Sequence, residues 1–225
     1  MQKRYKFEGA RNINYLFIAQ LILLAVITFV SSRVIINNAL ADEVNLAEKL
    51  SGQILINTEN DGELWYVDPT TNKRLYLDSA DFAYTLLRSR AISTSAQSIN
   101  GLPMGLLNVT DTDTDSDGIS DRLEKIIGGN VYSVDTDNDG FDDKNEVLSN
   151  YNLNGSGKKM LDSTLIDSFR GYFILNVDDS DSVWYISPRD SRRYFIGGPL
   201  DFSAVVKQLA IGINLQDLGE IESEE

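Results

Sequence analysis

Histidine and cysteine are absent from all 225 residues of this chain, and only four prolines, three methionines and two tryptophans occur. Each absence closes a class of chemistry. Without His or Cys there is no Ser-His-Asp or Cys-His nucleophile, no ordinary zinc centre, no disulfide framework and no thiol redox couple. Oxygen ligands are the metal chemistry that remains. Basic side chains are also scarce, 20 against 34 acidic, so the formal net charge is −14 and the pI about 4.4. That sign argues against nucleic acid and anionic lipid surfaces as partners, because both present like charge. At 42% apolar and 9% aromatic the chain can bury a core. Its length leaves room for one large domain or several small ones, and the internal pattern favours several.

What is present starts with a polar-to-apolar step. Lys3, Arg4, Lys6 and Arg11 precede an apolar run from Ile13 to Val30, broken only by Asn14, Gln20 and Thr28. The run is apolar all round rather than on one face, which argues against a buried core helix. Its length at about 1.5 Å per residue gives roughly 27 Å, enough to span a bilayer core. Four basic residues before it and only Arg33 closely after it leave the N-terminus in the cytoplasm and export the remainder. Two outcomes stay open: a single-pass signal anchor, or a signal peptide removed after Ala41 at Ala39-Leu40-Ala41, a small-x-small site that lies far behind the apolar run.

The second feature is an internal repeat. Gly52 to Phe82 matches Gly171 to Phe202 at an offset of 119, read as 120 after one inserted residue near Gly197-Gly198. Gly52/Gly171, Asn57/Asn176, Trp65/Trp184, Tyr66/Tyr185, Pro69/Pro188, Arg74/Arg193, Asp81/Asp201 and Phe82/Phe202 are identical. Both tryptophans therefore occupy one repeat position. Each copy predicts a three-stranded meander and a helix. In the first, β-rich segments at 53–58, 63–67 and 73–77 are separated by Asn60-Asp61-Gly62 and by Pro69 to Asn72. Ser79 is a candidate helix cap, followed by Phe82, Tyr84, Leu86 and Leu87 on one face. The second copy runs from Tyr172 to Ile196, with a helix from Pro199 to Leu209 carrying Phe202, Val205, Val206 and Leu209. Modules of about 45 residues are small for independent cores, so the copies are expected to pack on each other or on the segment between them. Alternation sends Trp65 and Val67 to one face and Leu64 and Tyr66 to the other, which favours core aromatics over an exposed sugar platform. Arg74 and Arg193 are expected to stack on a tyrosine or to pair with Asp81 and Asp201.

The repeat resembles a module of bacterial surface proteins with the pattern W-Y-V-x-P, R-Y-Y-L and a P-x-D-A-F helix start. It stands here as Trp65-Tyr66-Val67-Asp68-Pro69 with Arg74-Leu75-Tyr76-Leu77, and as Trp184-Tyr185-Ile186-Ser187-Pro188 with Arg193-Tyr194-Phe195-Ile196. The resemblance implies a place outside the cell and no particular activity.

Between the copies lies an acidic segment. From Asp111 to Glu146 there are twelve acidic and three basic side chains, a local charge of −9. Asp113, Asp115, Asp117, Gly118, Asp121 and Glu124 stand at positions 1, 3, 5, 6, 9 and 12 of a loop, with Ile119 at position 7. The register recurs 22 residues later in Asp135, Asp137, Asp139, Gly140, Phe141, Asp143 and Glu146. A hard cation of Ca²⁺ size takes six to eight oxygens at about 2.3–2.6 Å, and alternate residues in a tight loop converge their carboxylates on one point. Glycine at position 6 permits the turn, a backbone carbonyl at position 7 can coordinate, and a glutamate at position 12 closes the sphere with two oxygens. A solvated acidic linker would not repeat the glycine and the glutamate. The expected cofactor is Ca²⁺, two ions or more; two would reduce the local charge to −5 and couple metal binding to folding.

These loops are similar to thrombospondin type 3 calcium repeats, with D-x-D-x-D-G-x-x-D-x-x-E matched twice and Gly128-Gly129-Asn130 as the break between them. Asn152-Leu153-Asn154-Gly155 resembles the trailing N-x-N-G element of such repeats. A dockerin is the competing resemblance, weakened by Gly128-Gly129, which stops the first helix soon after Glu124.

The expected fold class is α+β: an N-terminal transmembrane or signal helix, then two small antiparallel β-meander plus helix modules joined by a calcium-binding loop segment. The partition is a basic cytoplasmic tail (1–12), the membrane segment (13–36), a linker (37–51), the first repeat (52–100), a linker (101–110), the acidic repeats (111–160), the second repeat (161–217) and an acidic tail (218–225). The expected role is that of an extracytoplasmic calcium-binding structural or adhesive protein, held to the membrane by its N-terminal helix. Recognition of cell-wall glycan or a surface protein by the repeat aromatics is the alternative, and dockerin-like assembly a weaker one. No enzyme is expected, because the calcium registers claim every clustered carboxylate.

Overall fold

The computed structural model describes residues 45–59, 61–178 and 182–224. The basic tail, the membrane segment at 13–36 and the linker up to residue 44 lie outside them. Among the described residues no helix is long and apolar enough to cross a membrane. The class is α+β, with two small mixed sheets and several helices.

Each copy of the repeat builds its meander from alternating apolar residues and tight turns. In the first, β1 (Ile54–Asn57), β2 (Leu64–Val67) and β3 (Arg74–Leu77) run antiparallel, with Ile54 opposite Tyr66 and Trp65 opposite Tyr76. Asp61 and Gly62 both take positive φ in the first turn, which gives the backbone twist a short hairpin needs. Helix α2 (Ala80–Ser89) follows, and the Ser79 hydroxyl accepts from the Phe82 N–H at 3.3 Å. The second copy, preceded by the short helix α6 (Ser163–Phe169), repeats this as β5 (Phe173–Asn176), β6 (Val183–Ile186), β7 (Arg193–Ile196) and α7 (Pro199–Leu209), with proline at the helix start where its missing N–H costs nothing.

The sheets are not purely antiparallel, contrary to the meander expectation. After α2 the chain forms β4 (Ile92–Thr94), which pairs parallel with β5 of the other copy. After α7 it forms β8 (Ile211–Ile213), which pairs parallel with β1. The sheet orders are therefore β3-β2-β1-β8 and β4-β5-β6-β7. A short helix extends each exchanged strand, α3 (Ala96–Asn100) capped by Ser95 and α8 (Leu215–Gly219) capped by Asn214. The arms then run along the opposite sheet edge. Arg193 N–H donates to Pro103 O at 2.8 Å, and Arg74 N–H donates to Glu222 O at 2.8 Å. Leu102 and Met104, in the segment assigned to a linker (101–110), and Leu218 and Ile221, in the segment assigned to an acidic tail (218–225), are buried in the cores.

The repeat keeps one offset throughout. The helix caps Ser79 and Gly198 are 119 apart, as are β4 and β8, so no residue is inserted near Gly197-Gly198. Matching Asp81-Phe82 to Asp201-Phe202 shifts the helix by one position. Phe202 is 1% exposed and Phe82 47%, and fully buried Ala83 takes the place that Phe202 has in the other copy.

Period-2 alternation divides the apolar residues between three cores. The inner faces of both sheets and the two long helices share the central one, in which Ile54, Tyr66, Leu77 and Leu87 of the first copy pack with Phe173, Tyr185, Ile196 and Phe202 of the second. On the outer face of the first sheet, Leu55, Val67, Ile213, Leu218 and Ile221 are covered partly by α1 (Leu46–Lys49). The outer face of the second sheet carries the acidic segment. The copies meet at Gly52 and Gly171, both at positive φ; a Cβ on Gly171 would stand 2.7 Å from the Gly52 Cα. A unit of this size cannot close a core alone, and exchange of the arms lets each copy complete the other.

Candidate metal centre

The two acidic loops fold by the same local bonds. In the first, Asp113 accepts from the N–H groups of Ser116 at 2.8 Å and Gly118 at 2.9 Å, Asp115 from Asp117 at 3.2 Å, and Asp117 from Ile119 at 2.6 Å. In the second, Asp135 accepts from Gly140 at 2.9 Å, Asp137 from Asp139 at 3.2 Å, and Asp139 from Phe141 at 3.0 Å. Such carboxylate-to-backbone bonds wind the loop so that alternate side chains turn inward. Carboxylate oxygens of Asp113, Asp115 and Asp117 lie within 4.8 Å of one another, and so do those of Asp135, Asp137 and Asp139. Gly118 has φ +92, a left-handed conformation that strains any residue carrying a side chain.

Each loop runs into a short helix that carries the position-12 glutamate, Glu124 on α4 (Asp121–Ile127) and Glu146 on α5 (Asp143–Ser149), each close enough to feel the charges of its loop's aspartates but outside the three-aspartate ring. Glu124 is 0% exposed, and neither of its carboxylate oxygens has a hydrogen-bond partner. Asp115 Oδ2, Asp117 Oδ2, Asp135 Oδ1 and Glu146 Oε2 are likewise buried and unpartnered. A buried carboxylate with nothing to bond is costly, and burial drives it toward the neutral form. Burial first, and then the charges of Asp115 and Asp117, push the Glu124 carboxyl up to about 7. Glu146 is pushed up to about 7 by burial and by Asp139 and Asp137, and Asp117 up to about 6 chiefly by burial. An inward set of hard, mutually repelling oxygens fits a divalent cation of Ca²⁺ size, which would supply the missing partner to all of them.

The candidate ligands do not all serve alike. Asp121 and Asp143, at position 9, are engaged through both oxygens: Asp121 accepts from the Thr114 N–H and hydroxyl at 2.8 Å each, and Asp143 from those of Thr136 at 2.8 and 2.6 Å. They brace the loops and lie outside the three-carboxylate rings. Ile119 is buried, whereas Phe141 at the same loop position is 65% exposed. Asn154 and Asn152 also act as braces, donating to Gly128 O at 2.8 Å and Gly157 O at 3.0 Å. Gly128 ends α4 in the left-handed conformation, the expected break between the loops.

The acidic segment is fastened to the second module by contacts that the sequence reading had not singled out. Ile119, Leu123, Val147 and Leu153 pack against Ile174, Trp184, Ile186 and Phe195. Arg122 Nη2 stands 2.9 and 2.8 Å from the two oxygens of Asp201 and 3.1 Å from Asp111 Oδ2, and its guanidinium lies 5.6 Å from the Phe195 ring centre. Asp201 also accepts from the Gly197 N–H at 2.7 Å. Thr114 and Thr136 recur at loop position 2, a repeated signal in the sequence that the motif at positions 1, 3, 5, 6, 9 and 12 leaves out. Arg122 carries no such signal, because its partner is 79 residues away.

The repeat aromatics divide in the same manner. Trp184 is buried and donates from Nε1 to Ser182 Oγ at 3.1 Å, while Trp65 is half-buried. Arg74 and Arg193 stack on these tryptophans, each 4.8 Å from the ring centre, rather than on tyrosine or Asp81 and Asp201. Their guanidinium groups donate to Leu218 O and Ile99 O, at the ends of the exchanged helices.

No known protein family matches the chain, and neither a curated protein nor a solved structure matches it.

Proposed function

We propose that this chain is an extracytoplasmic calcium-binding protein of structural or adhesive role, in which two Ca²⁺ ions rigidify the acidic segment between paired modules. The observation that carries the reading is Glu124: fully buried, with both oxygens unpartnered, at the loop position from which a glutamate closes a calcium sphere. The ligands are Asp113, Asp115, Asp117 and Glu124 in one loop and Asp135, Asp137, Asp139 and Glu146 in the other, with the carbonyls of Ile119 and Phe141 as candidates. Affinities of about 10⁻⁴ to 10⁻³ M are expected, as for extracellular modules. The reading contains no catalytic step. Calorimetry on the metal-stripped chain tests it: two binding events for Ca²⁺ are expected, and no heat and no change in amide exchange at millimolar Ca²⁺ would overturn it.

Export rests on the charge asymmetry across Ile13 to Val30. Protease treatment of intact cells should degrade a C-terminal tag; full protection of that tag contradicts the topology. A mature chain beginning at Asp42 would select cleavage over anchoring.

A partner-binding reading has one specific support. Tyr76 is 44% exposed on the outer face of the first sheet, 5.0 Å from the Trp65 ring and next to Arg74. That pair offers an aromatic surface to wall glycan or a surface protein, whereas Trp184 is closed to any ligand. Retention on insoluble wall glycan, lost in Tyr76→Ala, would support it.

A further inference from the structure

The metal-facing and module-facing residues of the first loop alternate along one short stretch. Asp117 turns an unpartnered oxygen inward, and Ile119, two residues on, is buried against the second sheet. Glu124 is preceded immediately by Leu123, in the same apolar cluster, and by Arg122, whose guanidinium grips both oxygens of Asp201. Asp201 is 2% exposed and sits in the first turn of α7, the helix whose inner face is part of the core shared by both copies. The corresponding helix of the first copy has a first-turn acid as well, but Asp81 is exposed. Among the described residues, the second copy alone is gripped in this way by the acidic segment.

We propose that calcium acts beyond the loops that hold it: filling the first loop stabilises the second module through Arg122–Asp201 and through Ile119 and Leu123 on Trp184 and Phe195, and thereby stabilises the paired modules. This deepens the calcium reading and rests on it. Without a cation, Asp115, Asp117 and Glu124 repel one another and push the loop open, which displaces the residues interleaved with them. With the cation bound, the inward pull on Asp117 and Glu124 seats Ile119, Arg122 and Leu123. Linkage makes the effect reciprocal, so the seated module also favours the metal. The exchanged arms carry the effect onward, because β4 and α3 of the first copy are built onto the sheet that the loop covers.

The test uses the full chain with Trp65→Phe, which leaves Trp184 as the reporter of the second module. Saturating Ca²⁺ is expected to raise the thermal midpoint seen by Trp184 by roughly 5 °C or more. Arg122→Met and Asp201→Asn are expected to bind two ions by calorimetry while losing at least half of that rise. Asp81→Asn should keep all of it. If Asp201→Asn does not fold, Arg122→Met, altered at a partly exposed side chain, decides the matter. Two ions bound with an unmoved midpoint overturn the inference and leave the calcium reading intact, as does a full rise in the Arg122 variant. Absence of any binding heat overturns both.

Discussion

The Tyr66 hydroxyl donates to the carbonyl oxygen of Gly171 at 2.8 Å, across 105 positions of the chain. Tyr185 returns the bond to Gly52 at 2.7 Å. Both hydroxyls are buried in the core that the two copies share, so each copy satisfies a polar group that the other would leave unpaired. With the exchanged strands, this reciprocity leaves neither copy a complete folding unit.

Gly171→Ala should therefore damage both copies together. The substitution meets positive φ and the Gly52 backbone at once, and a loss of about 2 to 5 kcal/mol is expected. Urea denaturation followed separately at Trp65 and Trp184 checks it. A single shared midpoint, shifted equally at both probes, is the expected result; two separate midpoints would refute the pairing.

The two tryptophans share a repeat position but not an environment. Trp184→Ala should cost about 3 to 5 kcal/mol, because the ring is enclosed between its sheet and the acidic segment. Trp65→Ala should cost less than about 3 kcal/mol, since that ring is only half-buried. Equal losses in the two variants would contradict the packing described above.

Position 12 and position 9 of the loops should respond differently to loss of charge. Glu124→Gln is expected to weaken one calcium site by about a hundredfold, while Asp121→Asn, altered at a loop brace, should weaken it by about tenfold. Calorimetry resolves both. Glu124→Gln should also make the metal-stripped chain more heat-stable above pH 7, because it removes an unpaired buried charge.

Acidity should act in opposite directions with and without metal. Glu124 and Glu146 titrate near 7 and Asp117 near 6 in the folded metal-free chain, all above the ordinary carboxylate range. The folded state then holds more protons than the unfolded state between about pH 4 and 7, so stability falls as pH rises through that window. Metal-stripped protein should melt higher at pH 5 than at pH 7.5. Saturating Ca²⁺ should bring its largest stabilisation at pH 7.5 and less at pH 5, where protons compete for the same oxygens. A melting temperature that rises with pH in chelator would run against this account.

The elements that could be read along the chain are those whose information is local. Alternation, turn residues and the Ser79 cap located the six meander strands and both long helices, and the helix from Pro199 to Leu209 has the expected bounds. The loop register located the two carboxylate rings, because alternate residues in a tight loop must converge. The strands Ile92–Thr94 and Ile211–Ile213 were not legible: three residues carry no periodicity, and their pairing depends on a partner in the other copy. The same limit hid Arg122–Asp201, and it made identical Asp-Phe pairs look equivalent when Ala83 occupies the place of Phe202. The spacing of acids and glycines was thus enough to determine where carboxylates converge, since that follows from backbone geometry within a dozen residues. Which module the loop is fastened to, and that two repeats close as one body, only the tertiary structure decided, because burial and pairing between residues about a hundred positions apart depend on how the whole chain packs.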